Sequence, residues 1–443
     1  MSEKKQFLAG FGWGDITPQD SVPMASYGDD LRRFSEGTDG TLDARAVALT
    51  DENGVTLLLL TGDQSWGSIY LGKPLKAQIE AELGVPADHV MISGIHNHDA
   101  VAANHDHLPE ILRFHERYQQ GMFAAAKAAM ADRKPARLFA GSAITNKMNF
   151  IRRYIMDDGS LIGDNAYGTG TVIVSHESDA DPELQLVRIV REGGEDILLS
   201  NFQAHPHLEG KKKIINSQAI GAFRTEVEQR FGFKSLHWNG AAGNINTHSR
   251  IKAESPPRDN KLWAAKMADY AEAALPLLTE VRSGPIRVAS TTVSAKINHA
   301  YDPLVPQAEQ VRQYFRDGHS AKETAQYAWQ FGIHSFYHAN RIVTNSQAGE
   351  AKEMLLQAFS FGDVGGVVVP YEMFDTNGMQ IKRNSPLRKT FIVGYSWPGY
   401  GGYIPSQEAF KNGGYEADNC SFVPGTAEML VQKFLELLEQ VSK

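Results

Sequence analysis

Short apolar runs alternate along this chain with longer segments that have helical periodicity. The runs at residues 46–49, 55–60, 90–92, 186–190 and 197–199 predict strands, and several of them are apolar enough to be buried on both faces. Helical spacing predicts helices over residues 73–83, 108–131, 222–231, 260–278 and 427–441. No long linker rich in proline, glycine or serine interrupts this alternation. We therefore predict an α/β fold in which mixed β-sheets are flanked by helices, forming a single domain over residues 1–443.

One polar segment departs from this pattern. Residues 306–339 are helical in pattern and rich in His, Tyr and Gln. We predict a helical insertion there, a pair of helices within the larger domain. Excursions of this kind either cover a functional site or decorate the surface, and the sequence leaves both readings open.

The composition narrows the function classes. Of 443 residues, 42% are hydrophobic and 22% are charged, with a formal net charge of -8, which is typical of a soluble globular protein and does not favour nucleic acid as a partner. The basic run at 211–213 is expected to be a solvated loop. A single cysteine, Cys420, excludes an intrachain disulfide and a thiolate zinc cluster, so a metal here must use mainly nitrogen and oxygen ligands.

The N-terminus and the apolar segments indicate where in the cell the protein is expected. The N-terminal ten residues lack the apolar core of a signal peptide, and no stretch approaches the roughly eighteen apolar residues of a transmembrane helix. We expect a cytoplasmic protein with no transmembrane segment, or a secreted or periplasmic one if a leader has been removed. The sequence leaves the oligomeric state open.

Two histidines separated by one residue follow the predicted strand at 90–92. In an extended segment, side chains two residues apart point to the same face, so His96 and His98 can converge on one cation or one substrate atom. The alternative is a pair of surface histidines at a strand end. A metal-binding or catalytic role for His96 and His98 is favoured only if other parts of the chain supply further ligands.

Other polar groups follow later strands. Pro206 disfavours the helical conformation at His205, which holds this imidazole on an extended segment, although a simple turn is the alternative. The small residues of 240–246 allow a ligand to approach the backbone amides, or form only a tight turn. Glu372 follows an apolar run, where its burial requires a cation or a donor, unless it is solvated. The aromatic, glycine-rich loop at 395–405 is typical of a pocket wall.

In their order along the chain, eight fragments resemble motifs of the neutral/alkaline ceramidase family, zinc-dependent amidases that cut the N-acyl bond of ceramide. They are Asp15-Ile-Thr-Pro18, Val22-Pro-Met-Ala-Ser-Tyr-Gly28, Ile92-Ser-Gly-Ile-His-Asn-His98, Ala204-His-Pro206, Gly240-Ala-Ala-Gly-Asn244, Val369-Pro-Tyr-Glu372, Gly402-Tyr-Ile-Pro405 and Gly413-Gly-Tyr-Glu416. The fragments span nearly the whole chain, so the resemblance implies the fold of the ceramidase catalytic domain.

The resemblance also implies a role for each matching residue. One zinc ion per chain would be held by His96, His205, Glu372 and Tyr403, with water completing the shell. His98 would be the proton shuttle, and Tyr415 a donor on the oxyanion side. Arg152 would contact the carbonyl or a substrate hydroxyl, with Arg153 as the alternative because the alignment can slip by one residue.

This chain departs from the family on the side expected to line the substrate. Asn246 and Asp99 stand where the family has serine, and His207 stands where a small residue is expected. With Asn244 and Arg153, Asn246 and Asp99 form the predicted substrate or oxyanion lining. The chain also ends soon after the last motif, where ceramidases carry a further β domain. These departures favour a substrate range that is not restricted to ceramide.

We therefore predict a zinc-dependent amidohydrolase that acts on a small-molecule N-acyl substrate, of the kind found in lipid metabolism. A zinc esterase, lactonase or phosphoester hydrolase on the same scaffold would share every ligand. A non-catalytic metal-binding protein is the alternative from another class, and an uncoordinated His98 beside the metal argues against it.

Overall fold

The computed structural model describes residues 6–27, 30–67, 71–163, 170–252 and 255–443. Gly28, at the end of the second ceramidase-like motif, and residues 1–5 of the N-terminal segment lie outside these ranges. The α-helices of the described part are α1 Gly72–Leu83, α2 Pro109–Ala131, α3 Gln218–Phe231, α4 Asn260–Ala274, α5 Val305–Arg316, α6 Ala321–Trp329, α7 Phe336–Ser346, α8 Asp375–Asn384, α9 Gln407–Asn412, α10 Tyr415–Asp418 and α11 Thr426–Ser442.

The strands fall between these helices. In chain order they are β1 Leu8–Asp15, β2 Gly37–Thr38, β3 Asp43–Thr50, β4 Thr56–Gly62, β5 Val90–Gly94, β6 Lys134–Ile144, β7 Phe150–Ile151, β8 Tyr154–Met156, β9 Leu161–Ile162, β10 Ile173–His176, β11 Glu183–Arg191, β12 Ile197–Phe202, β13 Ile214–Ile215, β14 Lys234–Asn239, β15 Ile245–Asn246, β16 Thr279–Val281, β17 Ile286–Lys296, β18 Ala351–Phe361, β19 Val364–Val368, β20 Glu372–Met373, β21 Lys389–Val393 and β22 Tyr403–Ile404.

Two mixed β-sheets form the centre of the molecule. The larger runs in the order β14-β12-β11-β6-β1-β3-β4-β5, with β16 paired to β6, and the smaller runs β17-β18-β19-β21. The pairs β12–β14, β4–β5 and β19–β21 are parallel, and the other pairs in these two sheets are antiparallel. Short strand pairs outside them, such as β20–β22 and β15–β7, join loops at the candidate site.

Alternating side chains on β3 explain why the sheets stack. Ala46 and Ala48 belong to the core between the larger sheet and helices α1 and α2, whereas Val47 and Leu49 belong to the core shared with the smaller sheet. The opposite face of the smaller sheet is covered by α11 and by Ile381 of α8. The layers are therefore helix, sheet, sheet and helix. The prediction of mixed sheets flanked by helices is confirmed.

Three glycines on β1 bring α2 directly against the sheet backbone. A Cβ atom at Gly10, Gly12 or Gly14 would overlap the carbonyl oxygen of Ala129, Ala125 or Gly121, respectively. The glycines therefore allow the helix to approach the strand closely, and chain flexibility is not their role. The alanine-rich face of helix α2 packs on these three glycines.

Most predicted elements lie where the apolar patterns place them, with two differences. Helix α4 ends at Ala274 instead of 278, because Pro276 cannot donate the next helical hydrogen bond and places residues 275–277 in a 3-10 turn. The segment predicted as a helical pair forms three helices, α5, α6 and α7, with left-handed turns at Gly318 and Gly332. Within the described ranges, no helix is both long and apolar enough to cross a lipid bilayer.

Candidate active site

His96 follows β5 in a conformation that histidine rarely adopts. Its φ angle is 62°, in the left-handed region, and its ring stacks on Tyr395 with 3.8 Å between centroids. The expected extended geometry for His96 and His98 was wrong, because this turn, and not strand alternation, brings their rings to 4.8 Å. Backbone strain of this kind persists where the surrounding structure enforces it, and it is concentrated at functional sites.

The imidazole of His205 faces that of His96. The Nδ1 atom of His205 lies 2.8 Å from the carbonyl oxygen of Ala242, and Nδ1 of His96 lies 3.3 Å from that of Ser65. A carbonyl oxygen only accepts, so both Nδ1 atoms carry the proton and both Nε2 atoms present a lone pair. These two Nε2 atoms are 3.0 Å apart. Two lone pairs at this distance repel each other unless a cation lies beside both.

Glu372 completes this arrangement from a different part of the chain. It opens β20, which pairs in parallel with β22 so that Glu372 lies opposite Tyr403 and accepts a hydrogen bond from its hydroxyl. The other side of the carboxylate, Oε2, is 3.5 Å from Nε2 of His96 and 3.4 Å from Nε2 of His205. Oε2 is buried and receives no hydrogen bond. Burial raises the pKa of Glu372 to about 8.

These groups fit a divalent zinc ion. Two neutral imidazole nitrogens and the Oε2 atom of the carboxylate converge, and these donors are typical zinc ligands, while the Tyr403 hydroxyl lies beside the same carboxylate through its hydrogen bond to it. Burial lowers the pKa of His96 and His205 well below its ordinary value, which keeps both rings in the neutral form that binds metals. Hydrogen bonds from Nδ1 to backbone carbonyls orient metal-binding histidines in many proteins.

His98 lies beside the same centre. A ligand atom of His98 is within 4.8 Å of ligand atoms of both His96 and His205, so its distance is also compatible with metal ligation. Both ring nitrogens are buried and make no hydrogen bond, while the ring stacks on His207 at 4.7 Å. Burial lowers the pKa of His98 well below its usual value, so this imidazole is neutral and able to accept a proton.

Arg152 reaches the centre from the loop after β7. Its Nη1 atom lies 3.2 Å from Nε2 of His205, Nε donates to Glu416 at 2.8 Å, and Nη2 donates to the carbonyl of Gly243 at 2.8 Å. Its guanidinium also lies over the ring of Tyr403, 5.1 Å from the centroid. Because several of its nitrogens make hydrogen bonds, the guanidinium of Arg152 is held in one position, and a donor held in this way is suited to bind a substrate oxygen.

Arg153 binds the other oxygen of the Glu416 carboxylate, which Arg152 also binds. It donates from Nη1 to Glu416 at 3.2 Å and to the carbonyl of Gly413, while its other nitrogens bind both oxygens of Glu177. Arg153 is fully buried in these contacts. Of the two arginines that the sequence left as alternatives, Arg152 is the one beside His205.

Tyr415 forms the wall next to Tyr403. It begins α10, its ring lies 5.5 Å from that of Tyr403, and on its other side it contacts Tyr337 of α7 at 5.0 Å. Burial raises the pKa of Tyr415, so the hydroxyl stays protonated and can donate a hydrogen bond. Tyr337 belongs to the predicted insertion at 306–339, so this segment contacts Tyr415 beside the site.

Asp99 uses its carboxylate to support the histidine loop. Its oxygens accept hydrogen bonds from Arg33 at 3.4 Å and from Asn216 and Gln218 at 3.1 Å each. The Oε1 atom of Gln218 in turn accepts the backbone N–H of His98 at 2.9 Å. These contacts connect Asp99 to the position of His98, and the lining role inferred from the sequence stays a prediction.

Asn244 and Asn246 lie in the segment that follows β14, Asn244 on the loop and Asn246 in β15. The side chain of Asn244 exchanges two hydrogen bonds with Asp375, through its amide group at 2.9 Å and its oxygen at 3.0 Å. Asn246 is buried on β15 opposite Phe150, and a further bridge sets it beside His205. Asn244 therefore fixes the loop to α8, while Asn246 adjoins a candidate ligand.

Some residues of this site carry no role in the sequence analysis. Tyr395 stacks on His96, and Glu416 binds both arginines. The signals were present, because Tyr395 lies in the aromatic loop and Glu416 ends the last ceramidase-like motif. On the outer side, Tyr27 contacts His98 at 5.2 Å, and His207 contacts His248 at 5.9 Å, so aromatic and imidazole rings surround His98.

Solved structures with the same architecture include two ceramidases. One is described as a ceramidase complexed with C2, with a TM-score of 0.71 and 17% identity over 98% of this chain and 75% of that one. The other is the neutral ceramidase from Pseudomonas aeruginosa, with a TM-score of 0.70 and 18% identity over 100% of this chain and 76% of that one. The chain has the neutral ceramidase fold. No protein-family model and no curated protein matches the sequence.

The resemblance of the scattered motifs to neutral ceramidases is thus confirmed at the level of the fold. At 17–18% identity, the comparison shows a shared fold, and the chemistry must be argued from the residues of this chain. The centre formed by His96, His205, Glu372 and Tyr403 supplies that argument.

Proposed function

We propose that this protein is a zinc-dependent hydrolase that cleaves the amide bond of an N-acyl compound. The observation that carries the proposal is the 3.0 Å separation of two unprotonated Nε2 atoms, on His96 and His205, beside the unbonded Oε2 of Glu372. A buried carboxylate and two facing lone pairs are costly without a cation. His96, His205, Glu372 and Tyr403 would hold the ion.

When bound, zinc supplies Lewis acidity and lowers the pKa of a water molecule towards about 7. The remaining steps belong to side chains of this protein. His98 accepts a proton from the attacking water and passes it to the nitrogen of the leaving amine, since its neutral imidazole has both nitrogens buried beside the centre.

The charge that develops on the carbonyl oxygen needs donors in fixed positions. Arg152 supports this role because Glu416 and Gly243 hold its guanidinium, and Tyr415 supports it because its hydroxyl remains protonated. Donors that are already oriented need no rearrangement during the reaction, which makes them effective in stabilising the transition state.

The amide preference rests on likeness to the ceramidase fold, and the substrate range rests on the departures from its motifs. His207 stacks on His98, so it adds a second imidazole close to the proposed reacting centre. A bulky histidine at position 207, where the family is expected to have a small residue, supports a substrate range that is not restricted to ceramide. An esterase, lactonase or phosphoester hydrolase would use the same residues, and the substrates tested must separate these classes.

Metal analysis tests the centre. We expect close to one zinc per chain in the purified protein, and loss of that zinc in a Glu372→Gln variant, because the amide side chain removes the only charged ligand. Glu408→Gln is the matched control, because it makes the same change at a glutamate whose side chain is exposed on α9. A wild-type protein that folds and never takes up zinc would contradict the proposal.

A substrate panel tests the reaction. N-acyl amides, oxygen esters with the same acyl chains and phosphoesters would be compared by kcat/KM on the zinc-loaded protein. We expect the amides to be cleaved, with activity lost in Glu372→Gln and retained in Glu408→Gln. Hydrolysis of the esters or phosphoesters alone would replace the amidase assignment, and no hydrolysis by a zinc-loaded protein would favour a binding role.

A further inference from the structure

A cavity lined by both polar and apolar groups lies outside the candidate active site, between α7 and the segment 407–424. Its volume is about 260 Å³, enough for a small organic molecule. The lining includes Arg341 and His338 from α7, Lys411 from α9, and Asp418 from α10. None of these residues has a role in the proposed reaction.

Arg341 is a cation without an acidic partner. Its Nη1 atom donates to the hydroxyl of Ser421 at 2.6 Å, and its Nε atom is buried and makes no hydrogen bond. Within the described part of the chain, no carboxylate lies within ion-pair distance of Arg341. A guanidinium has five N–H donors, so most of its capacity remains for another acceptor. A partly buried charge without a counterion is costly, and an anion in the cavity would compensate it.

The charges around the cavity favour an anion. Lys411 adds a second positive charge to the lining, and burial together with the charge of Arg341 lowers the pKa of nearby Lys352. Asp418 is the only carboxylate of the described lining, and it already binds His334 at 2.7 Å and the hydroxyl of Ser335 at 3.2 Å. This local excess of positive charge is notable in a protein whose formal net charge is -8.

His334, His338 and Asp418 lie close enough together to hold a metal ion, which is the alternative for this cavity. Their hydrogen bonds argue against it. Both oxygens of Asp418 accept hydrogen bonds, and Nδ1 of His338 accepts the backbone N–H of His334 at 3.3 Å. A cation would have to replace these bonds beside the charge of Arg341. The Oε2 atom of Glu372, by contrast, lies beside the facing nitrogens of His96 and His205 and accepts no hydrogen bond.

We propose that this cavity binds a small oxyanion, the carboxylate or phosphate group of a free small molecule, through the guanidinium of Arg341. Such pairs are often bidentate, with two parallel N–H···O bonds, and Lys411 adds a second charge at the rim. The cavity and the candidate active site lie on different sides of α10, since Glu416, which binds Arg152, and Asp418, which lines the cavity, are two residues apart on this helix.

Calorimetric titration of the zinc-loaded full chain with inorganic phosphate, and separately with acetate, tests the proposal. We expect Arg341→Gln to weaken binding of at least one of these ions by tenfold or more. Arg316→Gln is the matched control, because Arg316 is exposed at the end of α5, and we expect it to bind as the wild type does. The ion that binds more tightly identifies the phosphate or carboxylate class.

Crystals soaked in selenate would locate the anion by anomalous scattering. A selenate peak beside Arg341 is the expected result, and it also separates this site from any anion bound at the histidine centre. Unchanged affinity in Arg341→Gln, or selenate at the histidine centre alone, would overturn the proposal. So would a second zinc per chain that is lost in His338→Ala, since it would assign the cavity to a cation. None of these results depends on whether the protein hydrolyses an amide.

Discussion

His98 has a neutral imidazole whose two nitrogens are buried beside the candidate ligands, and its distance allows either proton transfer or ligation. We predict that His98→Ala keeps its zinc and loses turnover by roughly 10²–10⁴-fold, the usual contribution of a general acid or base. Metal content and kcat would be measured on the same preparation. His107→Ala, at an exposed histidine, should change neither quantity.

The metal content decides between the two roles of His98. Loss of zinc from His98→Ala would show that this side chain is a ligand, and the proton shuttle would then have to be another group. The neighbouring His207 is the first candidate, because its ring stacks on His98 at 4.7 Å.

The sequence identified the types of residue at this site better than it identified their geometry. Local motifs drew attention to His96, His205, Glu372 and Tyr403, which the fold brings together from four distant segments. The left-handed turn at His96 could not be predicted, because it depends on packing against Tyr395, which is nearly 300 residues away in the sequence. Short-range patterns contain no information about such contacts.

At the scale of elements, contact between β1 and α2 depends on the absence of side chains. We predict that Gly12→Ala lowers the free energy of unfolding by about 2 kcal/mol or more, because its Cβ would overlap the carbonyl oxygen of Ala125 and force the helix away from the sheet. Urea unfolding would measure the change. Gly349→Ala is the control, since a Cβ at Gly349 meets no atom within 4 Å. Equal stability of the two variants would contradict this account of the β1–α2 contact.

The same contact explains an element that the sequence analysis did not predict. Strand β1 contains three glycines, which weaken the strand signal, yet it pairs with β3 along its whole length. Its strand conformation comes from tertiary pairing and from the helix above it. Strands such as β4 were easier to predict. Every residue of β4 is buried, so its sequence is a run of mostly apolar residues that itself indicates a buried strand.

At the scale of the whole molecule, a partly buried group of charges joins the two sheets. Glu183 at the start of β11, in the larger sheet, binds Lys382 of α8 and Lys389 of β21 in the smaller sheet, each at 2.9 Å. Burial opposes ionisation of Glu183, but the two lysines together hold its pKa at about 2, below the ordinary value of 4.5. This ion pair network therefore couples the stacking of the sheets to pH.

The direction of that coupling follows from the lowered pKa. The unfolded chain binds a proton at Glu183 at higher pH than the folded chain does, so the contribution is complete above pH 4.5 and is lost as pH falls through about 2. We predict that Glu183→Gln lowers the free energy of unfolding by about 3 kcal/mol at pH 7 and by about half as much at pH 3. Urea unfolding at several pH values would measure both, with Glu408→Gln as the exposed control. A difference between wild type and Glu183→Gln that does not change from pH 7 to pH 2 would mean that packing, and not the charge of Glu183, links the sheets.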